Sequence, residues 1–445
     1  MKSVAILGAK ESGLGAAILA RKEGYAVWVS DFGGIPDKFK EEYVSRGIDF
    51  EENGHTEERI LGADLVVKSP GIPEKAPIIK KLRAAGVQIV SEIEFGSWFT
   101  DAKIIAITGS NGKTTTTLLT YHVLKSAGLD VGCAGNVGDS FARMVAEDPH
   151  AIYVLEVSSF QLDDIQRFRP HIAVLTNITP DHLDRYEYQL EKYVHAKFRI
   201  TENQTADDHF IYCMDDEITL QYLPQYPIKA QALGFAYDHR DGAVAWVENN
   251  AIQLTMNHLD QSVYSIDSMT LQGRHNMYNS MAAAVIGRLT DVRKEKIRDA
   301  FSDFRNAEHR LEKVAVVRGI EFINDSKATN VNSTWYALES INRPIVWIAG
   351  GVDKGNDYSI LAPLVEKKVR CIVALGADVL KIHQAFSKKV SMIVNTMSMD
   401  EAVKMSYHLA DKGDCVLLSP ACASFDLFDD YQDRGRQFKK NVLDL

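Results

Sequence analysis

Residues 105–117 read IAITGSNGKTTTT, and this stretch predicts the centre of the fold. The isoleucines at its start suit a short buried strand, and the residues that follow Lys113 suit a helix. Between the two, Gly109 and Gly112 allow a sharp turn that exposes successive backbone N–H groups. Backbone donors, a helix N-terminus and a lysine ammonium together favour the binding of an anion such as a phosphate.

The loop departs from the general phosphate-loop pattern GxxxxGK[ST], because Ile107 stands where the first glycine belongs. Thr114 occupies the position at which a hydroxyl binds Mg²⁺ beside the phosphates. The alternative is an Asn-Gly turn that only joins a strand to a helix, and such turns are common. Since Lys and Thr follow the turn directly, the stretch favours nucleotide binding.

Composition limits the class of protein. The chain has 445 residues, of which 46% are hydrophobic and 25% are charged, and its formal net charge is −10. This length predicts roughly two to four domains, each with a core of its own. The negative charge argues against a nucleic-acid-binding protein that works through a general basic surface. Any anionic ligand must therefore be bound by local groups of cations and backbone N–H donors.

Cysteines and apolar runs indicate the compartment. The five cysteines are scattered and form no CxxC pair, which fits reduced thiols in a cytoplasm. The first apolar run, in MKSVAILG, is too short for a signal peptide or a membrane span and predicts a strand. We expect a soluble cytoplasmic protein without a membrane partner.

Three segments share the order strand, glycine-rich loop, helix. They are VAILGAKESGLG at 4–15, IIAITGSNGKT at 104–114 and IVWIAGGVDKG at 345–355. Each is predicted to begin a separate α/β unit, because parallel sheets carry their ligand loops at the carboxyl ends of the strands. The predicted domains are residues 1–98, 99–304 and 305–445.

Two further segments place polar side chains near the phosphate loop. Glu156 ends the strand in AIYVLEVSSF, where a carboxylate suits Mg²⁺, although a solvated strand-end glutamate is the alternative. TPDHLDRY at 179–186 contains a turn with four charged or titratable side chains within five residues: Asp181, His182, Asp184 and Arg185. That cluster can bind a metal or cap a helix, and the residues alone favour capping.

Lys197 lies on the apolar face of a predicted helix. Leu190, Tyr193, Val194 and Lys197 follow the i, i+3, i+4, i+7 spacing of one face. Burial would lower the pKa of this amine, and a neutral amine can react with CO₂ to give a carbamate. The alternative, which the residues alone favour, is a lysine that extends its ammonium to solvent.

The third predicted domain has a cluster of cations and hydroxyl groups at strand ends. FINDSKATN at 322–330 precedes a helix whose predicted cap is Asn332 or Ser333. The candidate residues in and around this segment are His309, Arg310, Asp325, Lys327, Thr329, Lys354, Ser424, Tyr431 and Arg434. Together they predict an anionic small-molecule ligand, and ordinary caps and loop charges are the alternative.

Taken together, these motifs resemble the Mur ligase family, the ATP-dependent amide-forming enzymes of peptidoglycan assembly. The motifs that carry the resemblance are SPGIP (69–73), TGSNGKTTT (108–116), GNVG (135–138), LEVSSFQL (155–162), TPDHLDRY (179–186), GRHNMYN (273–279), EHRLE (308–312) and NDSKATN (324–330). The last of these, with SPACASFDLFDDYQDRG at 419–435, resembles the D-glutamate-adding members. The DNPR-type motif of the diaminopimelate- or lysine-adding members is absent from the sequence.

The resemblance implies a fold and an activity. It implies a Rossmann-like N-terminal domain that binds the UDP substrate, a central P-loop-type ATPase domain and a Rossmann-like C-terminal domain that binds the amino acid. The implied reaction adds D-glutamate to UDP-N-acetylmuramoyl-L-alanine through an acyl phosphate, with ADP and phosphate as products. The implied setting is cytoplasmic synthesis of peptidoglycan precursors by a monomer that requires ATP and Mg²⁺ at two sites.

The resemblance also implies roles for individual residues. The implied catalytic residues are Lys113, His182, Lys197 and Lys327. The implied ATP contacts are Gly109, Ser110, Asn111, Gly112, Lys113, Thr114, Thr115, Thr116, Asn276, Asn279, His309, Arg310 and Asp325. The implied metal ligands are Thr114, Glu156, His182 and Lys197 as a carbamate. The implied UDP-substrate contacts are Ser12, Gly13, Leu14, Asp31, Ser69, Pro70, Gly71 and Asn136. The implied D-glutamate contacts are His182, Lys327, Thr329, Lys354, Ser424, Phe425 and Tyr431.

Three other functions compete with this one. The first glycine loop suits a dinucleotide-dependent oxidoreductase, but that function leaves TGSNGKTTT unexplained. A second alternative is a regulator that binds nucleotide without turnover. The presence together of five residues argues against it: Lys113, Glu156, His182, Lys197 and Lys327. A family member that adds a different amino acid is a closer alternative, against which the C-terminal segment argues.

Overall fold

The structure is a computed structural model that describes residues 2–256, 261–305, 308–353 and 355–445. The chain forms two compact units. The first comprises Met1–Thr270 and Asn276–Phe304, and the second comprises Leu271–His275 and Arg305–Leu445. The predicted α/β class is confirmed, because each predicted domain contains one largely parallel sheet with helices between its strands. The domain boundaries themselves stay predictions.

The first sheet is parallel throughout and has the strand order β3-β2-β1-β4-β5. Its strands are β1 (Ser3–Leu7), β2 (Ala26–Ser30), β3 (Asp49–Glu51), β4 (Leu65–Lys68) and β5 (Ile89–Ser91). The accompanying helices are α1 (Glu11–Lys22), α2 (Asp37–Ser45), α3 (Glu57–Leu61), α4 (Pro77–Ala84) and α5 (Glu92–Ser97). The chain reverses its direction of progress across the sheet between β1 and β4, which is where open α/β sheets bind ligands.

The second sheet contains the phosphate-loop strand, β6, between β9 and β8. Its strands are β6 (Lys103–Thr108), β7 (Val131–Gly135), β8 (Ile152–Glu156), β9 (Ile172–Leu175), β10 (His209–Cys213), β11 (Gln231–Phe235), β12 (Ala243–Glu248), β13 (Ala251–Thr255) and β14 (Gln261–Ser265). The order is β14-β13-β12-β11-β10-β9-β6-β8-β7, and only the pairs β12–β13 and β13–β14 are antiparallel among these described strands. The helices are α6 (Lys113–Ser126), α7 (Phe141–Glu147), α8 (Ser159–Leu162), α9 (Leu190–Phe198), α10 (Glu217–Tyr222), α11 (Arg274–Leu289) and α12 (Lys294–Asp303).

The third sheet has the order β15-β16-β20-β17-β18-β19, with β15 antiparallel to β16. Its strands are β15 (Glu312–Val317), β16 (Ile320–Asn324), β17 (Ile345–Ala349), β18 (Val369–Leu375), β19 (Met392–Thr396) and β20 (Cys415–Leu418). The helices are α13 (Val331–Ser340), α14 (Ala362–Lys368), α15 (Leu380–Phe386), α16 (Met399–Leu409) and α17 (Tyr431–Leu443). Every residue of the central strand β17 is buried, as expected of a parallel strand that is covered on both faces.

The predicted cap of α13 is wrong. Asn330, and neither Asn332 nor Ser333, occupies the N-cap position, and its side-chain oxygen accepts the Ser333 N–H at 2.8 Å. The reason is that Asn330 has extended backbone, which an N-cap residue needs, whereas the two predicted caps already lie within the helix.

Two buried glutamates of α5 fix the first sheet to the second within the first unit. Glu94 accepts the backbone N–H groups of three consecutive residues, 166–168, and the indole N–H of Trp98. Glu92 accepts the backbone N–H of Ala142 at 2.6 Å. These bonds offset the free-energy cost of burying the two carboxylates, and they hold α5 of the first sheet against segments of the second sheet. In the described part of the chain, no helix is both long and apolar enough to cross a bilayer.

Candidate active site

Four neighbouring strands at one end of the second sheet, β9, β6, β8 and β7, bring predicted site residues together at their carboxyl ends. Strand register pairs Ile107 in β6 with Glu156 in β8, and pairs Glu156 in turn with Gly135 in β7. Thr108 pairs with Leu175 at the end of β9. The loop after β6, the carboxylate that ends β8 and the segments after β7 and β9 therefore share one edge of the sheet.

The loop at 109–112 has the backbone of an anion cradle. Gly112 occupies the N-cap position of α6 with φ of 83°, in the left-handed region that favours glycine. A Cβ atom at this position would lie 2.6 Å from Asn279 Oδ1, so a side chain has no room. Because α6 begins at the next residue, the positive end of its dipole faces the loop.

Residues after β9 hold the loop in place, and the sequence analysis missed two of them. Asn177 Oδ1 accepts the Asn111 N–H at 2.9 Å, and Asn177 Nδ2 donates to the Asn111 carbonyl at 3.0 Å. The Thr176 hydroxyl donates to the same carbonyl at 2.6 Å. A Thr-Asn pair that directly follows a buried strand at this edge was the available signal.

Two lysines meet at one carbonyl of the loop. Lys113 Nζ donates to the carbonyls of Gly109 at 2.7 Å and Ser110 at 2.9 Å, and Lys197 Nζ donates to the Gly109 carbonyl at 2.7 Å. Lys197 is only 1% exposed, so the expectation that it extends to solvent is wrong. Burial lowers the pKa of the Lys197 amine well below its usual value, and the nearby Lys113 charge lowers it further. The neutral form of this amine is therefore more accessible than that of an exposed lysine.

The donor set at this edge partly fits divalent metal ions. Thr114 and Glu156 are both buried, and Glu156 Oε1 accepts a hydrogen bond from Asn136 Nδ2 at 2.8 Å. A hydroxyl and a carboxylate are hard oxygen ligands of the kind that Mg²⁺ prefers, so these two residues fit the first predicted metal. An amine does not suit Mg²⁺, so Lys197 fits the second metal only as a carbamate, whose oxygens would be the ligands.

His182 lies on the exposed side of this edge. Its side chain is 41% exposed, and its backbone φ of 52° falls in the left-handed region. The ring stands edge-on to Phe160 at 5.2 Å between centroids, and Nε2 lies 3.7 Å from an Asp181 carboxylate oxygen. The imidazole is therefore accessible to a ligand rather than used as a helix cap.

The predicted adenine contacts join α6 to α11. Thr116 Oγ1 donates to Asn279 Oδ1 at 3.1 Å, and Asn279 Nδ2 donates to Asn276 Oδ1 at 3.2 Å. Both asparagines are buried. Asn279 thus lies beside the phosphate loop and links α6 to α11 through the hydrogen bond from Thr116.

The predicted UDP-substrate residues, apart from Asn136 after β7 of the second sheet, lie at the carboxyl edge of the first sheet. The Ala9 N–H donates to Asp31 Oδ2 at 2.8 Å, which holds the glycine turn against the end of β2. On the other side, the Ser69 N–H donates to the Leu7 carbonyl at 2.9 Å, and the Ser69 hydroxyl donates to the Gly8 carbonyl at 3.4 Å. The turn therefore lies between Asp31 and the SPGIP segment, where Pro70 and Gly71 follow.

Three predicted contacts at the start of α1 differ in what they can offer. Gly13 packs so closely on the Gly8 carbonyl that any side chain there would clash. The Leu14 side chain is fully buried, and its N–H donates to the Lys10 carbonyl at 2.8 Å. Gly13 and Leu14 thus pack the helix against the turn, while Ser12 is half-buried at the edge.

In the second unit, two predicted nucleotide segments are tied together. Asp325 accepts the Ser419 hydroxyl at 2.8 Å and the Leu311 N–H at 3.2 Å. Burial raises the pKa of Asp325 to about 7, against the opposing effects of the Ser419 bond and the Arg310 charge. The Lys327 N–H donates to the His309 carbonyl at 3.1 Å, so this hydrogen bond joins the backbone segments that carry Arg310 and Lys327.

The predicted D-glutamate residues are brought together only in part. Lys327 Nζ lies 5.5 Å from the centre of the Tyr431 ring, and the Thr329 N–H donates to the Lys327 carbonyl at 2.9 Å. Ser424 is buried, whereas Phe425 is 70% exposed. Lys354 lies outside the described residues.

Arg434, which the sequence groups with this cluster, is a structural residue. It is 1% exposed, and its guanidinium donates to the Ser326 carbonyl at 2.8 Å and the Cys422 carbonyl at 3.2 Å. These bonds join α17 to the loops after β16 and β20 and leave the guanidinium inside the fold.

Comparison with known proteins supplies the relatives of this chain. Three family descriptions match it: "Mur ligase MurD-like, N-terminal domain" over residues 2–91, "Mur ligase middle domain" over 107–287 and "Mur ligase, glutamate ligase domain" over 309–422. The chain is 54% identical to the UDP-N-acetylmuramoylalanine--D-glutamate ligase of Christiangramia forsetii and 53% identical to that of Bacteroides thetaiotaomicron. Each match covers 100% of both chains.

Solved structures share the fold at low identity. UDP-N-acetylmuramate-alanine ligase MurC from Thermotoga maritima matches with a TM-score of 0.63 at 18% identity, and the match covers 100% of this chain and 99% of that one. MurF from Acinetobacter baumannii matches with a TM-score of 0.64 at 17% identity over 94% of this chain and 91% of that one. These likenesses support the fold alone.

Proposed function

The chain belongs to the Mur ligase family, and from that premise we propose that it joins D-glutamate to UDP-N-acetylmuramoyl-L-alanine in a reaction that converts ATP to ADP and phosphate. The observation that carries the proposal is the phosphate loop at 109–112, built beside a buried carboxylate in a chain whose full-length relatives bear that name. The products are the amide, ADP and phosphate. We place the reaction in the cytoplasm and assign it to a monomer.

The phosphate loop positions ATP. Backbone N–H groups at the start of α6 bind the phosphates, and Lys113 exchanges its present bonds to two loop carbonyls for the γ-phosphate. Ser110, Asn111, Thr115 and Thr116 complete the cradle. Asn276 and Asn279 lie toward the adenine. In the second unit, His309, Arg310 and Asp325 are further contacts to the nucleotide.

The metal ligands are assigned from the fit of their donors. Thr114 and Glu156 hold one Mg²⁺, and His182 with carbamylated Lys197 holds a second. Bound Mg²⁺ would neutralise charge on the transferring phosphoryl group. The carbamate forms when the neutral Lys197 amine adds to the carbon of CO₂ and releases one proton, a step that the lowered pKa favours.

The chemistry has two group transfers. The γ-phosphoryl group passes from ATP to a carboxylate oxygen of the alanine residue, and ADP leaves. The D-glutamate amine then forms a bond to the acyl carbon, the bond from carbon to the phosphate oxygen breaks, and the amine loses a proton to solvent. The protein's contribution is to position the reactants and to stabilise developing negative charge with Lys113 and Lys327.

Separate sets of residues bind the other two substrates. Asp31, Ser69 and the start of α1 at Ser12, Gly13 and Leu14 bind the UDP moiety, with Pro70, Gly71 and Asn136 toward the muramoyl group. Lys327, Thr329, Ser424 and Tyr431 bind the carboxylates of D-glutamate, with His182, Phe425 and Lys354 as further contacts.

Phosphate release tests this function. The wild type is incubated with ATP, Mg²⁺, UDP-N-acetylmuramoyl-L-alanine and, in turn, D-glutamate, L-glutamate, L-lysine or meso-diaminopimelate. We expect release only with D-glutamate and only with all substrates present. Lys113→Ala should abolish it, whereas Lys125→Ala, at an exposed lysine of the same helix, should not. Release with another amino acid would contradict the assigned substrate, and ATP binding without release would favour the non-catalytic regulator.

A further inference from the structure

Arg185 connects the turn that contains His182 to the SPGIP segment of the first sheet. Its guanidinium donates to three consecutive carbonyls, those of Pro70 at 3.2 Å, Gly71 at 3.2 Å and Ile72 at 3.3 Å. Three acceptors on one planar cation fix the path of the backbone, since the donor directions of guanidinium are rigid. Arg185 belongs to the TPDHLDRY motif, and none of the roles that the family resemblance implies falls on it.

The SPGIP segment is in turn attached to the glycine turn that follows β1. Ser69 bonds to Leu7 and Gly8 through its N–H and hydroxyl groups, and the Ile72 N–H donates to the Ser69 carbonyl at 3.1 Å. The segment is therefore anchored at its start by the first sheet. Its next three carbonyls accept hydrogen bonds from Arg185, which lies in the turn after β9 of the second sheet.

Arg185 also belongs to the local structure around His182. The Arg185 N–H donates to the His182 carbonyl at 3.0 Å. The guanidinium lies 4.4 Å from the centre of the Phe160 ring, and the same ring stands 5.2 Å from the His182 ring. One aromatic side chain thus orients both the arginine and the histidine.

We propose that Arg185 is a positioning residue for the UDP substrate, which sets the SPGIP segment in its binding conformation and keeps it in register with the His182 turn. This inference rests on the proposed function, because it takes residues 69–71 to contact that substrate. Arg185 acts through the backbone of the segment and touches no reacting atom. Its loss should weaken binding of the UDP substrate and leave ATP binding unchanged.

The test compares Arg185→Ala and Arg185→Lys with Arg83→Ala. Arg83 also links the first sheet to the second, through an ion pair with Asp164. It contacts Glu74, one residue beyond the SPGIP segment, at 3.5 Å, and its bonds in the described part of the chain include none to residues 69–73. We expect Arg185→Ala to raise KM for UDP-N-acetylmuramoyl-L-alanine about tenfold or more. A tenfold change in affinity is about what the loss of one charge-assisted hydrogen bond produces. The KM for ATP and kcat should stay within about threefold of wild type. Arg185→Lys should rescue only part of the loss, because one ammonium cannot reach three carbonyls.

Hydrogen exchange provides a readout that does not depend on turnover. In Arg185→Ala the amides of Ser69, Gly71 and Ile72 should exchange faster than in the wild type, while Arg83→Ala should leave their exchange unchanged. Equal rises in both KM values, the same KM change in Arg83→Ala, or unchanged exchange at these three amides would each overturn the inference. If the wild type does not turn over the UDP substrate, the proposed function fails, and the exchange comparison alone still decides whether Arg185 orders the segment.

Discussion

Gly112→Ala should weaken ATP binding by an amount that can be worked out from two features of the loop. The first is backbone strain, since alanine at φ of 83° costs about 1–2 kcal/mol relative to glycine. The second is the clash with Asn279 Oδ1, which lies 2.6 Å from the position of the new Cβ. Moving Asn279 breaks its bond from Thr116, with a loss of about 1 kcal/mol. Without ATP, the loop of the variant can relax to an unstrained conformation. ATP binding must then bring back the strained conformation, so the strain lowers the affinity.

The sum, about 2–3 kcal/mol, corresponds to roughly a 30- to 150-fold loss of ATP affinity. Titration calorimetry with ATP and Mg²⁺ measures this loss in the wild type, Gly112→Ala, Asn279→Ala and the double variant. In the Asn279→Ala background the clash is absent, so Gly112→Ala should cost only the strain. Affinity within about twofold of wild type in Gly112→Ala, or an equal cost in both backgrounds, would refute this account of the loop.

Three further predictions follow from buried charges. Burial raises the pKa of Asp163 from 3.8 to about 6, so its contribution to stability is present below pH 3.8 and is lost as the pH rises through 6. At pH 8, Asp163→Asn should therefore have a free energy of unfolding, measured by urea titration, up to about 3 kcal/mol higher than that of the wild type. This difference should vanish near pH 4, and a difference that does not change with pH would contradict the prediction. Glu94→Ala should lower the free energy of unfolding by about 3 kcal/mol or more, because it leaves the buried Phe168 N–H and the part-buried N–H groups of residues 166 and 167 without their acceptor. A loss below about 1 kcal/mol in urea titrations would contradict this. Wild-type protein in ¹³C-bicarbonate should show a carbamate resonance that Lys197→Met lacks, and depletion of CO₂ should lower wild-type activity; a missing resonance with unchanged activity would rule out the carbamate.

Sequence reasoning succeeded where the signal is local. The phosphate loop could be predicted because Gly109, Gly112 and Lys113 each restrict the chain within a few residues, and β6 and α6 have clear apolar patterns. Glu156 could be assigned to the same edge because parallel strands align their carboxyl ends. These inferences need only strand order and direction.

It failed where the outcome depends on packing between distant segments. Lys197 could extend to solvent or be buried, and only the placement of α9 against the phosphate loop decides this. Thr176 and Asn177 support the loop from another strand, so their role depends on the β6–β9 pairing.

The most direct test of the central claim follows an oxygen atom. UDP-N-acetylmuramoyl-L-alanine labelled with ¹⁸O in its carboxylate is converted with ATP, Mg²⁺ and D-glutamate, and the released phosphate is analysed by mass spectrometry. Because the acyl phosphate keeps a carboxylate oxygen that departs with phosphate, we expect one ¹⁸O atom in each phosphate released together with amide. Unlabelled phosphate accompanied by amide formation would contradict the acyl-phosphate route.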